Sequence, residues 1–300
     1  MNLDHLVPEA QEVAALPNED RLRRVRTDRW IGYSRAVKIV DHLSRIVEGP
    51  AKQRMPNALI IGPTNNGKSM VVEKFRRRHV ARSSAAPTGE AEIIPIVCMQ
   101  MPSEPSISRF YALLLAAVGS PPMPRLRVSE LENLALRIMR RIGARILVID
   151  ELHNLLVGKK PTQQEFLNLV RFIGNELRIS IVGVGTRDAY LAIRSDDQLE
   201  NRFEPMLLPI WEEGEELSSL LASFAASLPL RNPSSLGSPD VARYILARTG
   251  GTIGEIARLL TASAAVAIET GREAIDDKTF SLVDYESPIE RKRSFERALR

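Results

Sequence analysis

GPTNNGKSMVVEKF, Gly62 to Phe75, sets two glycines, a lysine and a serine at one fixed spacing, behind the apolar run ALII (58–61) and ahead of a segment with helical periodicity. G-x-x-x-x-G-K-[ST] between a strand and a helix is a phosphate-binding loop. Gly62 and Gly67 allow the backbone to curl until successive N–H groups face phosphate oxygens, and the following helix adds its positive N-terminal end. Lys68 is then placed to reach the β- and γ-phosphates, and Ser69 to offer its hydroxyl to Mg²⁺. The candidate nucleotide set is Gly62, Pro63, Thr64, Asn65, Asn66, Gly67, Lys68, Ser69 and Met70, with ATP and Mg²⁺ as the expected ligands.

Such a loop needs a carboxylate at the end of a neighbouring strand to hold the metal. RILVIDE, Arg145 to Glu151, supplies one: an apolar run ending in Asp150 and Glu151. Asp150 can hold Mg²⁺, with Ser69 as the second metal ligand, and Glu151 can polarise an attacking water. A small-molecule kinase deprotonates a substrate hydroxyl and has no need of this pair, so the pair favours hydrolysis. His153 reads as a local hydrogen-bonding residue rather than a catalytic base. SIVGVGT ends in Thr186, a polar side chain placed to sense the γ-phosphate. DDQLENRFEP carries Arg202 just before the last strand, where an arginine can reach a nucleotide held by a neighbouring subunit; the alternative is a surface arginine paired with Glu200 or Glu204.

Working outward, short Ile/Val/Leu-rich runs predict strands at 58–61, 93–98, 145–149, 179–184 and about 205–210. Helical segments lie between them at 67–81, 107–118, 129–142 and 163–177, which predicts a parallel sheet with helices on both faces. Ser34 can cap a preceding helix whose apolar positions are Val37, Val40, Leu43 and Val47. After Trp211 the strand signal stops, and 213–227, 239–249, 253–269 and 276–284 read as helices. The expected domains are an N-terminal arm or docking segment (1–32), an α/β core (33–210), a small all-helical lid (211–285) and a basic tail (286–300). The stretches SSAAPTGE (83–90) and SPPMPR (120–125) read as exposed loops.

Composition narrows the classes further. The chain has 300 residues, 44% of them hydrophobic, enough for a large domain plus a small one. It has no apolar run near eighteen residues, and acids and a proline stand where a signal peptide needs a basic start, so a soluble, unexported chain is expected. The one cysteine, Cys98, lies in the apolar run IIPIVCM and reads as a core residue. Net charge is only +4, but basic residues cluster in RLRRVRTDR (21–29), KFRRRHVAR (74–82) and ERKRSFERALR (290–300). Each cluster is either a solvated helix face or a footprint for a phosphate backbone.

Together GPTNNGKS, LVIDE, Thr186, Arg202 and the helical segment after 211 resemble the AAA+ ATPases. RTDRWIGYSRA (26–36), VIDELHNLL (148–156), VGVGT and GGTIGEIARLL (250–260) extend the resemblance to the TniB subgroup of TnsC-type transposition ATPases, from about residue 20 to 285. That resemblance implies an ATP-dependent regulator that oligomerises on double-stranded target DNA, as a ring or filament. It also implies recruitment or activation of a DDE-type transposase, a possible target-selector protein, no membrane, and a place in the bacterial cytoplasm. The chain departs from the AAA+ pattern at Gly254, which stands where the lid helix often carries an arginine, with Arg258 one turn later. Two helices between the second and third strands resemble the extra helix of the replication-initiator branch, which makes Arg109, Arg125 and Arg127 the DNA-contact candidates. A helicase-loader or replication-initiator ATPase shares all of this nucleotide chemistry, and a nucleotide-gated signalling switch shares the binding without the turnover.

Overall fold

A strand buried on both faces needs apolar side chains at nearly every position, and the chain supplies such runs for the centre of a sheet and more mixed ones for its edges. In the computed structural model, which describes residues 3–86, 89–104, 106–123, 125–157 and 160–299, they form one sheet. Its strands are Asn57–Ile61 (β1), Ile96–Gln100 (β2), Ile146–Asp150 (β3), Ser180–Gly185 (β4) and Phe203–Leu207 (β5). All pairings are parallel and the order is β2-β3-β4-β1-β5, with Ile60 opposite Val184 and Met206, and Val148 opposite Cys98 and Val182. The expected α/β fold class is therefore the one observed. Residues 35–64 and 68–209 make this compact unit; residues 1–34, 65–67 and 210–300 make a second, helical one.

In the α/β unit the helices Lys68–Arg78, Ile107–Ala117, Val128–Arg141 and Lys160–Leu177 lie close to their expected ranges. Phe75 is buried, and the buried faces of the other three (Phe110, Leu114, Leu131, Met139, Phe166, Val170) pack a core around Leu147 and Ile149. Three local readings change. In the segment 83–90, expected as a loop, the described residues are strand: Arg82–Ala86 pairs antiparallel with Gly89–Ile93, and residues 87 and 88 lie outside the described residues. RSSAA and GEAEI hold only one large apolar side chain, Ile93, too little to mark a half-buried strand by pattern. The second sheet strand starts at Ile96 rather than 93, because Pro95 has no N–H to give the ladder. Pro95 instead accepts from the N–H groups of Arg145 and Ile146 at 2.8 and 3.0 Å. In the helix Ser34–Glu48 the buried face is Ala36, Ile39, Val40, Leu43 and Ile46, and Val37 is exposed.

Cys98 faces the α/β core in part, and burial pushes its thiol up to about 11 against the pull of Arg76. Almost no thiolate is present at neutral pH, as the reading of a core residue requires.

The helical unit is built on Glu215–Ser227, Pro239–Thr249, Ile253–Glu269 and Asp277–Leu282. Pro239 opens the second of these at its first turn and Gly250, with φ +65°, closes it, as the punctuation predicts. Leu217, Leu221, Phe224, Ile245, Ile256, Leu260 and Ile268 form its core. The N-terminal residues are not an arm. Pro8–Ala14 and Asn18–Val25 are helices, and Val25 and Ile31 are buried in the same core. The cause is polar and long-range: Arg21, 0% exposed, pairs with Glu273 and donates to the Pro229 carbonyl at 2.8 Å. Among the described residues no single helix is long and apolar enough to cross a membrane.

Candidate nucleotide site

The phosphate loop leaves β1 at Ile61 and enters the helix at Lys68. Gly62 has to be glycine: a Cβ there would lie 2.6 Å from the Leu208 carbonyl oxygen, since the chain after β5 closes on β1 through Leu208 N–H to Ile61 O at 2.7 Å. Asn65 (φ +59°) and Gly67 (φ +81°) take left-handed conformations. That alternation turns consecutive N–H groups inward and makes an anion-binding concavity.

The Lys68 ammonium bonds the carbonyl oxygens of Gly62 and Pro63, at 2.9 and 2.7 Å. Burial holds it below the ordinary lysine value, while Glu151 and Asp150 pull the other way. Held by two loop carbonyls, the ammonium stands beside the concavity where a phosphate would meet it, and a charge-assisted bond to phosphate is of the strong kind.

At the end of β3, Asp150 Oδ1 accepts the N–H of Glu151 at 2.8 Å, and Oδ2 stands 3.5 Å from Ser69 Oγ. One carboxylate oxygen thus fixes the turn and the other faces the phosphate loop. The turn puts Glu151 at φ +53°, a conformation that costs about 1–2 kcal/mol outside glycine. Such strain clusters at functional sites. His153 Nδ1 lies 3.1 Å from Glu151 Oε2 without the alignment of a hydrogen bond.

Thr186 follows β4 directly, and Gly185 accepts the Gly62 N–H at 3.2 Å, so Thr186 stands at the start of the phosphate loop. The structure brings Lys68, Ser69, Asp150, Glu151 and Thr186 to the carboxyl ends of three adjacent strands, as open α/β sheets place their ligands.

The donor set fits a magnesium nucleotide. Among the described residues no group of three or more His, Cys, Asp and Glu could hold a metal alone. Mg²⁺ is ordinarily held by one or two protein oxygens with phosphates and water completing the shell, which is what Ser69 and Asp150 provide.

Arg202 is not part of this cluster. It precedes β5, and its carbonyl accepts the N–H of Asn57, the first residue of β1. Five residues of strand, roughly 16 Å at the usual rise, separate that edge from the chain's own loop. Arg202 donates to Asn175 Oδ1 at 2.9 Å, while Glu200 pairs with Arg194 and Glu204 with His42. The pairing with Glu200 or Glu204 weighed from sequence does not occur. Arg109, Arg125 and Arg127 are all exposed.

Gly254 is the second residue of the helix Ile253–Glu269, and the space its Cβ would fill holds the Asn65 side chain, 1.9 Å away. Sequence reading found Gly254 and Asn65 separately and had no signal for their contact. Arg258, one turn on, lies over the Tyr285 ring at 5.9 Å.

A five-stranded parallel sheet in this order, a phosphate loop after β1 and an Asp-Glu pair after β3 define an AAA+ ATPase. A family model described as bacterial TniB protein matches residues 21–213, well over half of the chain, and the chain belongs to that family. Solved structures agree on the fold. The ORC2 protein of Aeropyrum pernix superimposes with a TM-score of 0.58 at 14% identity, over 86% of this chain and 70% of that one. The ORC1 protein of Aeropyrum pernix, solved in complex with DNA, gives 0.55 at 20%, over 93% and 68%. The Walker-type ATPase of Pyrococcus abyssi gives 0.54 at 14%, over 87% and 71%. A search of curated proteins finds no match.

Proposed function

We propose that this chain is an ATP-dependent, largely sequence-independent DNA-binding regulator of transposition. It oligomerises on target DNA, recruits or activates a DDE-type transposase, and leaves the DNA as it hydrolyses ATP. Membership of the TniB family is the observation that carries this reading, and the completeness of the ATPase site supports it. The place of action is the bacterial cytoplasm, on the nucleoid, with a target-selector protein as a further partner. Exposed Arg109, Arg125 and Arg127 serve as backbone contacts.

Chemically, Lys68 and the loop N–H groups orient the β- and γ-phosphates, and Ser69 and Asp150 hold Mg²⁺. When bound, the ion supplies positive charge to the phosphate oxygens. Glu151 accepts the proton of the attacking water, and Thr186 holds a γ-phosphate oxygen. Arg202, too far from its own loop, acts on the nucleotide of the next subunit, where such an arginine is worth ~10³ to 10⁵ in rate.

Likeness to ORC proteins, one of them solved with DNA, favours a second reading as a replication-initiator or helicase-loader ATPase. Retention on duplex DNA, measured with ATP, with ADP and without nucleotide, tests the first reading, together with transposase capture by the retained protein. Lys68→Ala should abolish ATP-dependent retention, because the phosphates lose their main protein charge. Retention without capture would move the assignment to the second reading, and turnover-free ATP binding with no retention would leave a nucleotide-gated switch.

Arg202→Ala should bind nucleotide normally and lose turnover. Mixing it with Lys68→Ala, which keeps Arg202 but has an inactive site, should restore part of the activity. Absence of any restoration would count against action across a subunit boundary.

A further inference from the structure

The first N–H groups of a helix have no partner inside it. In Ile253–Glu269 two of them are taken by the tip of the phosphate loop: Gly254 N–H donates to Asn65 O at 3.0 Å and Ile253 N–H to Asn66 Oδ1 at 3.1 Å. Only a glycine at 254 lets the loop come this close, since any Cβ would overlap the Asn65 carboxamide. Asn65 Nδ2 then donates to Glu255 Oε1 at 3.2 Å.

Glu255 is nearly buried and serves two further donors. Tyr285 OH reaches Oε2 at 2.8 Å, and Arg291 Nη2 reaches Oε1 at 2.7 Å. Arg291 belongs to the helix Pro288–Ala298, which opens with a reciprocal Ser287–Glu290 cap and has no buried residue of its own. With no apolar anchor, that helix depends on polar contacts for its place, and the charged one to Glu255 is the strongest type available to it. One carboxylate oxygen is therefore shared between the C-terminal helix and the phosphate loop.

We propose that Glu255 is a positioning residue for the phosphate loop, and that Arg291, by seating the C-terminal helix on the same carboxylate, makes the order of the loop tip depend on that helix. The inference rests on the nucleotide reading given above. A seated helix neutralises Glu255 and holds its carboxylate toward Asn65, so the loop is ordered before nucleotide arrives and binding loses less entropy. An unseated helix leaves Oε1 without its charged partner while Tyr285 still holds Oε2, and the loop tip loosens.

The test uses the full chain and three changes: Arg291→Ala, its conservative counterpart Arg291→Lys, and Asn65→Gly, which removes the side chain yet accepts the left-handed backbone. In nucleotide-free protein, amide exchange at residues 65–68 and 253–254 should speed up in Arg291→Ala and Asn65→Gly. Exchange at 146–150 should be unchanged, and Arg291→Lys should restore most of the protection. The dissociation constant for ADP should rise about three- to tenfold in Arg291→Ala, the scale of coupling between groups in one polar network. Adding Arg291→Ala to Asn65→Gly should weaken binding no further. Unchanged exchange in Arg291→Ala, or fully additive losses in the double variant, would overturn the link. The expected exchange changes in the variants, with wild-type protein that binds no ADP, would instead overturn the nucleotide reading.

Discussion

Glu151→Gln is expected to bind Mg²⁺-ATP as wild type does while turnover falls at least about a hundredfold, the low end of what a positioned general base contributes. The amide keeps the size of the carboxylate but cannot take a proton. Lys68, Ser69 and Asp150 are untouched, and Asp150 Oδ1 still holds the backbone N–H at 151, so the turn persists. If the nucleotide bridges subunits through Arg202, its γ-phosphate is part of the interface, and losing it removes the contact that favours assembly. The variant should then remain on duplex DNA far longer than wild type after dilution with ATP present. Phosphate release above about a tenth of wild type would place the base elsewhere, with His153 next in line at 3.1 Å from Glu151. An equal or faster off-rate would refute disassembly by hydrolysis.

Arg21→Ala should destabilise the helical unit by about 3 kcal/mol, because it leaves the buried Glu273 carboxylate with only the Arg231 N–H and a longer contact to the Arg231 guanidinium. Arg21 is 0% exposed and donates to Glu273 Oε1 at 2.8 Å, to Pro229 O and to Asn18 Oδ1 at 3.0 Å. Burial pushes the Glu273 carboxyl up, and bonds from Arg21 and the Arg231 N–H pull it down by more, so it lies below the usual carboxylate range. A depressed carboxyl contributes stability that is present above its unfolded value and lost as pH falls through its folded one. The cost of Arg21→Ala should therefore be full at neutral pH and shrink below about pH 4, the region of an unperturbed glutamate. Denaturant titrations of both proteins across that range measure it. A loss under about 1 kcal/mol at pH 7 would mean water replaces the guanidinium, and Arg21→Met with Glu273→Gln should recover part of the loss if it does not.

The nucleotide chemistry was legible in sequence because it depends on short spacings. A strand, a tight loop and a helix N-terminus are contiguous in GPTNNGKS, and Asp150 and Glu151 are adjacent, so residue type and order were enough to predict that these side chains meet at one end of the sheet. Periodicity served the long helices equally well: Pro239–Thr249 and Ile253–Glu269 fall where the apolar pattern and the Ser-Pro and Gly-Gly punctuation place them. It failed where strands pair without a strong apolar pattern, as in 82–86 and 89–93, and where a side chain draws its meaning from a distant partner.

The three basic clusters show what only the tertiary structure decides. In RLRRVRTDR, Arg23 remains in solvent beside Glu19, Arg29 is drawn to the carbonyl of Ser227, and Arg21 is buried against Glu273, 252 residues away. In KFRRRHVAR, Arg76 and Arg77 share Glu73, and Arg78 reaches Asp41. In ERKRSFERALR, Arg291 finds Glu255. An arginine is the same group in every case; its energy is set by desolvation and by the carboxylate the fold delivers, and neither is written in the neighbouring residues. The same holds for Arg202, which the sequence could nominate for catalysis but which only the parallel register of β1 and β5 places at the edge of the sheet away from its own phosphate loop.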